Sequence, residues 1–381
     1  MMPKTIAIIA GEESGDLLGA DLVRGLKAHL GSELKLVGVG GEHLNGEGLI
    51  SLIDPSELAL MGISAILKRL PQLILHIRNV ATHIITARPD VLIIIDSPEF
   101  THRVARKVRA ALPNLPVINY VCPSVWAWRP ERAKAMNAYV NEVLCVLPFE
   151  PDELKRLGGP KGTYVGHMLN TDANILRVAQ IRAQKTQSSG DLMLLPGSRS
   201  GEIERLLPEM IETAKLNLRN GTAKTVTIPT LERHKGRVER FVSTAGLPCR
   251  MVTGSTAKWE AFANADAALA ASGTVSLELA LCGVPHAAVY RLDYLAKKFI
   301  LPRVVAWSGN LPNLIANDVV VPESYEEYFR SGALSRLLAG LMRLDGPNRI
   351  AQLAGFEHIR KMMKTEAPTA ELAAGRIVTY L

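Results

Sequence analysis

The sequence predicts an α/β protein made of two doubly wound domains whose strand ends face a common cleft. Three observations carry this. Short apolar runs alternate with segments of helical spacing, as in parallel strands joined by crossover helices. The runs are continuous, as expected of strands covered on both faces. The 381 residues also exceed one ordinary core, and the pattern pauses once before it resumes.

The apolar runs of the first half are Thr5–Ala10, Leu34–Val39, Val91–Ile95, Val117–Val121 and Val143–Val146. Between the first two, Leu17, Leu18, Leu22, Leu26 and Leu30 fall at helical spacing. The segment Ile63–Ile77 has the same spacing, with Lys68, Arg69 and Arg78 nearby, and suits either core packing or a helix lying on a membrane surface. Pro71 within it predicts a kink or two short pieces. Polar residues dominate Gln180–Gly190, and Ser188-Ser189-Gly190 reads as a flexible stretch. Strands resume at Leu192–Leu195, Thr225–Ile228, Ala267–Ala270 and His286–Val289. The last segment, Thr369–Leu381, has helical spacing and is expected to cross back to the first domain. The expected boundaries are 1–167, 168–365 and a returning helix over 366–381.

With 48% hydrophobic and 21% charged residues, the composition excludes a disordered chain and a small disulfide scaffold. No apolar stretch reaches the ~18–20 residues of a membrane span. The start, Met1-Met2-Pro3-Lys4, leads into too short an apolar run for a signal peptide. Cys122, Cys145, Cys249 and Cys282 lack CxxC or zinc spacing, so reduced thiols in the cytoplasm are expected. The net charge of +7 suits an anionic partner such as nucleotide, phosphate or acidic lipid, and is too small to indicate nucleic acid.

Several chemistries are excluded by what is missing. There is no GxGxxG, Walker, HExxH or GxSxG pattern. No DxD pair stands ready to hold a metal against a diphosphate, and the nine histidines do not cluster. No metal and no cofactor are expected.

Four strand-to-helix turns carry candidate chemistry. Gly11-Glu12-Glu13-Ser14-Gly15-Asp16 follows the first strand; it is either a helix start capped by Ser14 or Asp16, or a loop lining a sugar acceptor. Asp96-Ser97-Pro98 closes the apolar run Val91–Ile95. A carboxylate there suits a general base, and a cap is the plainer alternative. Pro196-Gly197-Ser198-Arg199 combines backbone donors with a guanidinium suited to diphosphate, or leaves Arg199 exposed and paired with Glu202. Ser272-Gly273-Thr274 opens an apolar helix whose free N–H groups suit phosphate, and Glu278, a turn on, suits a ribose diol; simple capping and a surface acid are the alternatives.

Three weaker segments complete the set. Trp126-Ala127-Trp128 offers a sugar platform or packing; Val165-Gly166-His167 ends the first domain; Leu311-Pro312-Asn313 offers Asn313 to a ligand or makes an ordinary turn.

Taken in order, these motifs resemble the lipid-A-disaccharide synthase family over nearly the whole chain. The resemblance implies a GT-B glycosyltransferase with two Rossmann-like domains. It implies transfer from UDP-2,3-diacylglucosamine to the monosaccharide phosphate lipid X, giving a β-linked disaccharide monophosphate and UDP. It places Asp96, Glu12 and Asn313 as catalytic. Ser14, Asp16, Trp126, Trp128, Ser198, Arg199, Ser272, Gly273, Thr274 and Glu278 become substrate-binding, without a metal or cofactor. Both substrates carry acyl chains, so peripheral association with an anionic membrane surface, on the inner face of the inner membrane, is implied. Nothing points to nucleic acid or to a particular oligomeric state. The chain departs from the family at Glu13, at Met168 after Gly166-His167, and at Ala306-Trp307-Ser308-Gly309-Asn310. The alternatives are another UDP-sugar enzyme of the same architecture, such as a lipid II glycosyltransferase or a UDP-N-acetylglucosamine epimerase, and a non-catalytic nucleotide-sugar-binding protein at the membrane.

Overall fold

The computed structural model describes residues 3–31, 33–54, 57 and 63–381, the side chains of residues 63–70 and 295 excepted. The chain divides into two compact units, residues 1–168 with 365–381, and residues 169–364.

The first unit is built on strands β1 (Lys4–Ala10), β2 (Leu34–Val39), β3 (Val91–Ile95), β4 (Val117–Tyr120), β5 (Glu142–Cys145) and β6 (Lys161–Tyr164). They form one parallel sheet in the order β2-β1-β3-β4-β5-β6. Its helices are α1 (Glu13–Leu30), α2 (Glu42–Gly46), α3 (Ile63–Ala87), α4 (Pro98–Ala111), α5 (Glu131–Met136) and α6 (Glu150–Arg156). The continuous apolar runs of the sequence are the central strands. Ile93, Ile94 and Ile95 are wholly buried, and Ile94 shares one core with Val80, Ile84, Val104 and Val108 of α3 and α4.

The second unit repeats the plan. Its strands are β7 (Asp191–Leu195), β8 (Thr225–Pro229), β9 (Arg250–Val252), β10 (Ala267–Ala271), β11 (His286–Tyr290) and β12 (Glu323–Tyr325). The sheet is parallel in the order β12-β11-β10-β7-β8-β9. Its helices are α7 (Ala173–Ala183), α8 (Ser200–Arg219), α9 (Lys235–Ala245), α10 (Ser255–Asn264), α11 (Thr274–Cys282), α12 (Tyr294–Phe299), α13 (Leu311–Ala316), α14 (Ser331–Met342) and α15 (Pro347–Met363). The last helix, α16 (Thr369–Val378), belongs to the first unit. It packs on α1, where Gly25 is needed because a Cβ there would lie 2.8 Å from the Ala370 carbonyl oxygen. Arg376 and Tyr380 bind the buried Glu142 carboxylate, with Arg376 Nε 2.7 Å from Oε1.

Four local readings are corrected. Pro71 does not divide its segment into two pieces; α3 runs continuously from Ile63 to Ala87 with Pro71 inside it. The polar stretch from Gln180 is helix as far as Ala183, and its Arg182 is buried. There it donates to the carbonyls of Gly283, Phe262 and Ala265, and burial lowers its pKa to about 10. The Ser188-Ser189-Gly190 turn is tied down, since Ser188 Oγ and Gly190 N–H both donate to Asp266 Oδ2 at 2.6 Å. Finally, β6, β9 and β12 are strands without an apolar run; the first two lie at a sheet edge, as does β12, where fewer side chains are covered.

Candidate active site

In the first sheet the chain leaves β1 toward β2 on one side and β3 toward β4 on the other. Strand order therefore reverses between β1 and β3, the kind of position at which doubly wound sheets commonly bind ligands at the carboxyl ends of the strands. Those loops carry Glu12 and Asp96-Ser97. Ser97 Oγ donates to Glu12 Oε1 at 3.3 Å, so the two loops meet directly. Glu12 and Ser14 are exposed. Helix α1 begins at Glu13 with Glu12 as its cap residue, so Ser14 lies inside the first turn and caps nothing.

Asp96 sits where β3 ends, and its backbone is left-handed (φ 53°), as is that of Ser97 (φ 45°). Asp is among the few residues that tolerate this region. Thr101 Oγ1 holds the turn by donating to the Asp96 carbonyl at 2.7 Å. The Ser97 N–H donates to Asp96 Oδ1 at 3.1 Å, yet burial is the larger influence and pushes the carboxyl pKa up.

Asp16 has a different place from the one expected. It is buried, and its carboxylate accepts the N–H groups of Gly41, His43 and Leu44 at 2.6, 2.9 and 3.2 Å. Those are the orphan donors at the start of α2, so Asp16 anchors α2 and offers no free oxygen to a sugar.

The Trp126–Trp128 loop follows β4. Trp126 packs edge-on against Phe149 (ring centroids 5.2 Å apart), and its Nε1–H donates to Glu150 Oε1 at 3.2 Å. Packing therefore accounts for Trp126. Glu150 also accepts the N–H groups of Val146 and Leu147 at 3.0 Å each, and burial pushes its pKa up to about 7. Its ligand-type atoms and those of Cys122 and Cys145 lie within 4.8 Å of one another, all buried. Trp128 carries the Arg129 guanidinium over its ring at 4.2 Å. Burial drives the His167 pKa down to about 4, so this imidazole is neutral.

The second sheet reverses between β7 and β10, and the loops after these strands are Pro196–Arg199 and Ser272–Thr274. Gly197 is left-handed (φ 105°), and a Cβ there would stand 2.5 Å from Glu202 Oε2. The Arg199 N–H and its Nη1 both donate to the Glu202 carboxylate, at 3.3 and 3.0 Å. Arg199 is thus paired as the plainer reading held, yet its side chain is 65% exposed. Ser198 is exposed, and its carbonyl lies 2.9 Å from His234 Nε2. Ser272 Oγ donates to the Gly309 carbonyl at 2.8 Å, while Gly273 and Thr274 lie open at the start of α11. Glu278 accepts from Lys258 Nζ at 2.6 Å.

Asn313 is also reassigned. It is 1% exposed; its Oδ1 accepts Val320 N–H and Val321 N–H at 3.0 and 2.7 Å, and its Nδ2 donates to Val321 O and Glu323 Oε1 at 2.9 and 3.1 Å. Every bond the amide can make is spent inside the fold. Asn313 therefore positions the turn ahead of β12. Around it, Ser276, His286 and Asn310 form a buried network, with Ser276 Oγ 2.6 Å from His286 Nε2 and 2.9 Å from Asn310 Nδ2. Of the departing segment, Ser308 and Asn310 are buried and Trp307 is exposed.

The profile described as Lipid-A-disaccharide synthetase matches residues 6–369. The Lipid-A-disaccharide synthase of Rhodopseudomonas palustris (strain BisB18) is 43% identical over 379 residues, covering 99% of this chain and 96% of that one. The chain belongs to the lipid-A-disaccharide synthase family. The Nitrobacter winogradskyi (strain ATCC 25391 / DSM 10237 / CIP 104748 / NCIMB 11846 / Nb-255) member is likewise 43% identical over 378 residues, covering 98% and 95%. The family is one of glycosyltransferases acting in lipid A biosynthesis, and the chain is an enzyme of that kind. Among solved structures, Acinetobacter baumannii MurG has a TM-score of 0.52 at 13% identity, covering 95% of this chain and 99% of that one. The UDP-GlcNAc 2-epimerase of Neisseria meningitidis bound to UDP-GlcNAc has 0.56 at 12%, covering 99% of each. Likeness at that identity speaks to the fold alone, two Rossmann-like domains of the GT-B kind. No helix among the described residues is long and apolar enough to cross a membrane.

Proposed function

We propose that the chain transfers 2,3-diacylglucosamine from its UDP derivative to lipid X with inversion, yielding the β-linked disaccharide 1-phosphate and UDP. One observation carries this reading: in each sheet, the two loops singled out for chemistry are the pair that flanks the reversal of strand order.

The first unit supplies the acceptor side. Asp96, backed by Glu12 and Ser97, takes the proton of the acceptor hydroxyl as its oxygen attacks the anomeric carbon of the donor. The bond from that carbon to the diphosphate breaks, and UDP leaves with the electron pair. The second unit supplies the donor side. The N–H groups opening α8 and α11, with Arg199, stabilise the charge that develops on the diphosphate. Trp128 offers a face to the acceptor sugar, and Ser14, Ser198, Ser272, Gly273, Thr274 and Glu278 line the two loop pairs. These groups accomplish the transfer with hydrogen bonds and charge alone.

Acyl-bearing substrates reside in a bilayer, and two exposed apolar surfaces support contact with the cytoplasmic face of an inner membrane. On α3, Ile74 and Leu75 are exposed; the side chains of Ile66, Leu67, Lys68, Arg69 and Leu70 lie outside the described residues. In the second unit Tyr294, Phe299, Val305 and Trp307 are exposed beside Lys298 and Arg303.

The test is turnover of UDP-2,3-diacylglucosamine with lipid X in mixed micelles. The expected result is one UDP per β-linked disaccharide 1-phosphate. UDP release independent of lipid X, or transfer only to another acceptor, would refute the reading.

A further inference from the structure

Just beyond Asp96, the first turn of α4 presents Glu99, a carboxylate surrounded by arginines. Arg103 Nη2 donates to its Oε2 at 3.2 Å, Arg129 Nη1 reaches its Oε1 at 3.5 Å, and Arg132 Nη2 donates to the same Oε1. Arg129 and Arg132 also hold their guanidinium carbons 4.2 and 5.7 Å from the centroid of the Trp128 ring. The next arginine along α4, Arg106, is fixed above the Tyr139 ring at 4.8 Å.

This is not an ordinary surface ion pair. Among the described residues, three guanidiniums share one acid, which leaves two positive charges over, and like charges held this close repel. Burial, and then the charges of Arg106 and Arg132, drive the buried His102 to a pKa of about 4. Arg129 is further held in the left-handed region (φ 53°), a conformation that arginine does not favour. Such strain persists where the surroundings impose it, and it is concentrated at ligand clamps. All three arginines remain between 31% and 48% exposed, so their outer N–H groups are accessible.

We propose that Arg103, with Arg129 and Arg132 braced on Trp128, forms a site for a phosphate monoester carried by the acceptor sugar. The chemistry selects that group. Guanidinium forks match phosphate oxygens in pairs, and a monoester carries a charge of about −1.5 to −2 near neutral pH, which balances the two unneutralised arginines. Glu99, at the centre of the cluster, follows Asp96 by three residues on the same strand-to-helix connection, so a phosphate held there would set which acceptor hydroxyl meets the base. Arg103, Arg129 and Arg132 are then positioning and specificity residues, and Glu99 is a placeholder that the phosphate displaces or shares. This rests on the acceptor-side reading of the first unit.

The test uses the full chain, 15N-labelled, with the Trp128 indole N–H assigned through Trp128→Phe. Glucosamine 1-phosphate is expected to shift that signal and glucosamine is not. The double variant Arg129→Gln/Arg132→Gln is expected to weaken the binding by about 10-fold or more, since charge-assisted bonds are lost, whereas Glu99→Gln should tighten it. Absence of a phosphate-dependent shift, or a shift untouched by the double variant, overturns the site. Stronger occupancy by phosphatidic acid in phosphatidylcholine vesicles than by the sugar phosphate, at equal phosphate, overturns its assignment to the acceptor. These arms need no turnover, so a chain that binds the sugar phosphate but transfers nothing would sink the transferase reading and leave the site standing. In turnover, the double variant should raise the KM for lipid X with the KM for donor unchanged; an equal rise in both counts against the assignment.

Discussion

Replacing Asp96 with asparagine separates chemistry from structure at the proposed base. Asparagine tolerates the left-handed backbone at φ 53° about as well as aspartate, so the turn should survive. Its amide can still accept the Ser97 N–H, as Asp96 Oδ1 does at 3.1 Å. What disappears is the proton acceptor, and general-base catalysis typically contributes ~10²–10⁴-fold. At about 1.4 kcal/mol per tenfold, that is a rise of roughly 3–5 kcal/mol in the barrier. Asp96→Ala should lose the same activity and also roughly 1–2 kcal/mol of stability, because alanine is penalised in the left-handed region. The assay is kcat/KM from acceptor-dependent UDP release, with urea unfolding of both variants alongside. Burial raises the Asp96 pKa, and the base works only when ionised. Activity of the native chain should therefore fall on acidification with a midpoint above the ordinary aspartate value of about 3.9. Near-native kcat/KM in a well-folded Asp96→Asn variant would remove Asp96 from the proton transfer.

Arg199→Ala should weaken UDP binding by roughly 10- to 150-fold, the equivalent of a charge-assisted hydrogen bond, and leave lipid X affinity unchanged; titration calorimetry with each ligand decides. Asn313→Ala strands the N–H groups of Val320 and Val321, so unfolding free energy should drop by about 2–5 kcal/mol in urea titration. An unchanged midpoint with lost turnover would instead give Asn313 a direct part in the reaction. Glu150 carries a folded pKa of about 7, above its ordinary value, so its contribution is complete below the unfolded pKa and is lost as pH rises through 7. In Glu150→Gln, whose amide does not titrate, the fall in stability between pH 5 and 8 should shrink by up to roughly 3 kcal/mol, while the amide oxygen can still accept from the Trp126 indole. An unaltered pH profile would show that Glu150 does not titrate there.

The central strands were legible because burial on both faces leaves a continuous apolar run, as at Val91–Ile95. Of the edge strands, Leu34–Val39 was legible from its apolar run, whereas Lys161–Tyr164, Arg250–Val252 and Glu323–Tyr325 were not, since they are short and carry polar residues. At the site, the sequence identifies which loops end strands, and the observed strand order places those loops at the two switch points. It does not identify what a polar side chain binds. Asp16 looks ligand-facing because it closes the glycine-bearing loop after the first strand, and Asn313 because it ends the Leu311-Pro312-Asn313 turn; their partners, Gly41–Leu44 and Val320–Glu323, cannot be inferred from spacing. Glu150 was missed for the opposite reason. An acid at the start of a helix is a common favourable placement and attracts no notice, whereas its bond to Trp126 exists only in three dimensions.

The two units solve the same problem with different residues. Among the described residues of the first unit, Asp96, Ser97, Val121 and Arg129 have left-handed backbones although none is glycine, and all follow the carboxyl ends of β3 and β4; a fifth, Arg88, precedes β3. In the second unit the left-handed non-glycine residues, Asn317 and Glu326, end α13 and follow β12, away from the switch point, and the turn after β7 is made by Gly197, left-handed at φ 105°. A loop that presents backbone N–H groups to a diphosphate gains from glycine, which reaches that conformation without strain and keeps the approach clear. A loop that must present a carboxylate or a guanidinium cannot use glycine at that position. It keeps the side chain and accepts a backbone cost of order 1–3 kcal/mol, which a well-packed sheet such as β1-β3-β4 can sustain. At the switch-point turns, strained side-chain residues after β3 and glycine after β7 are what the proposed division into acceptor chemistry and diphosphate binding predicts.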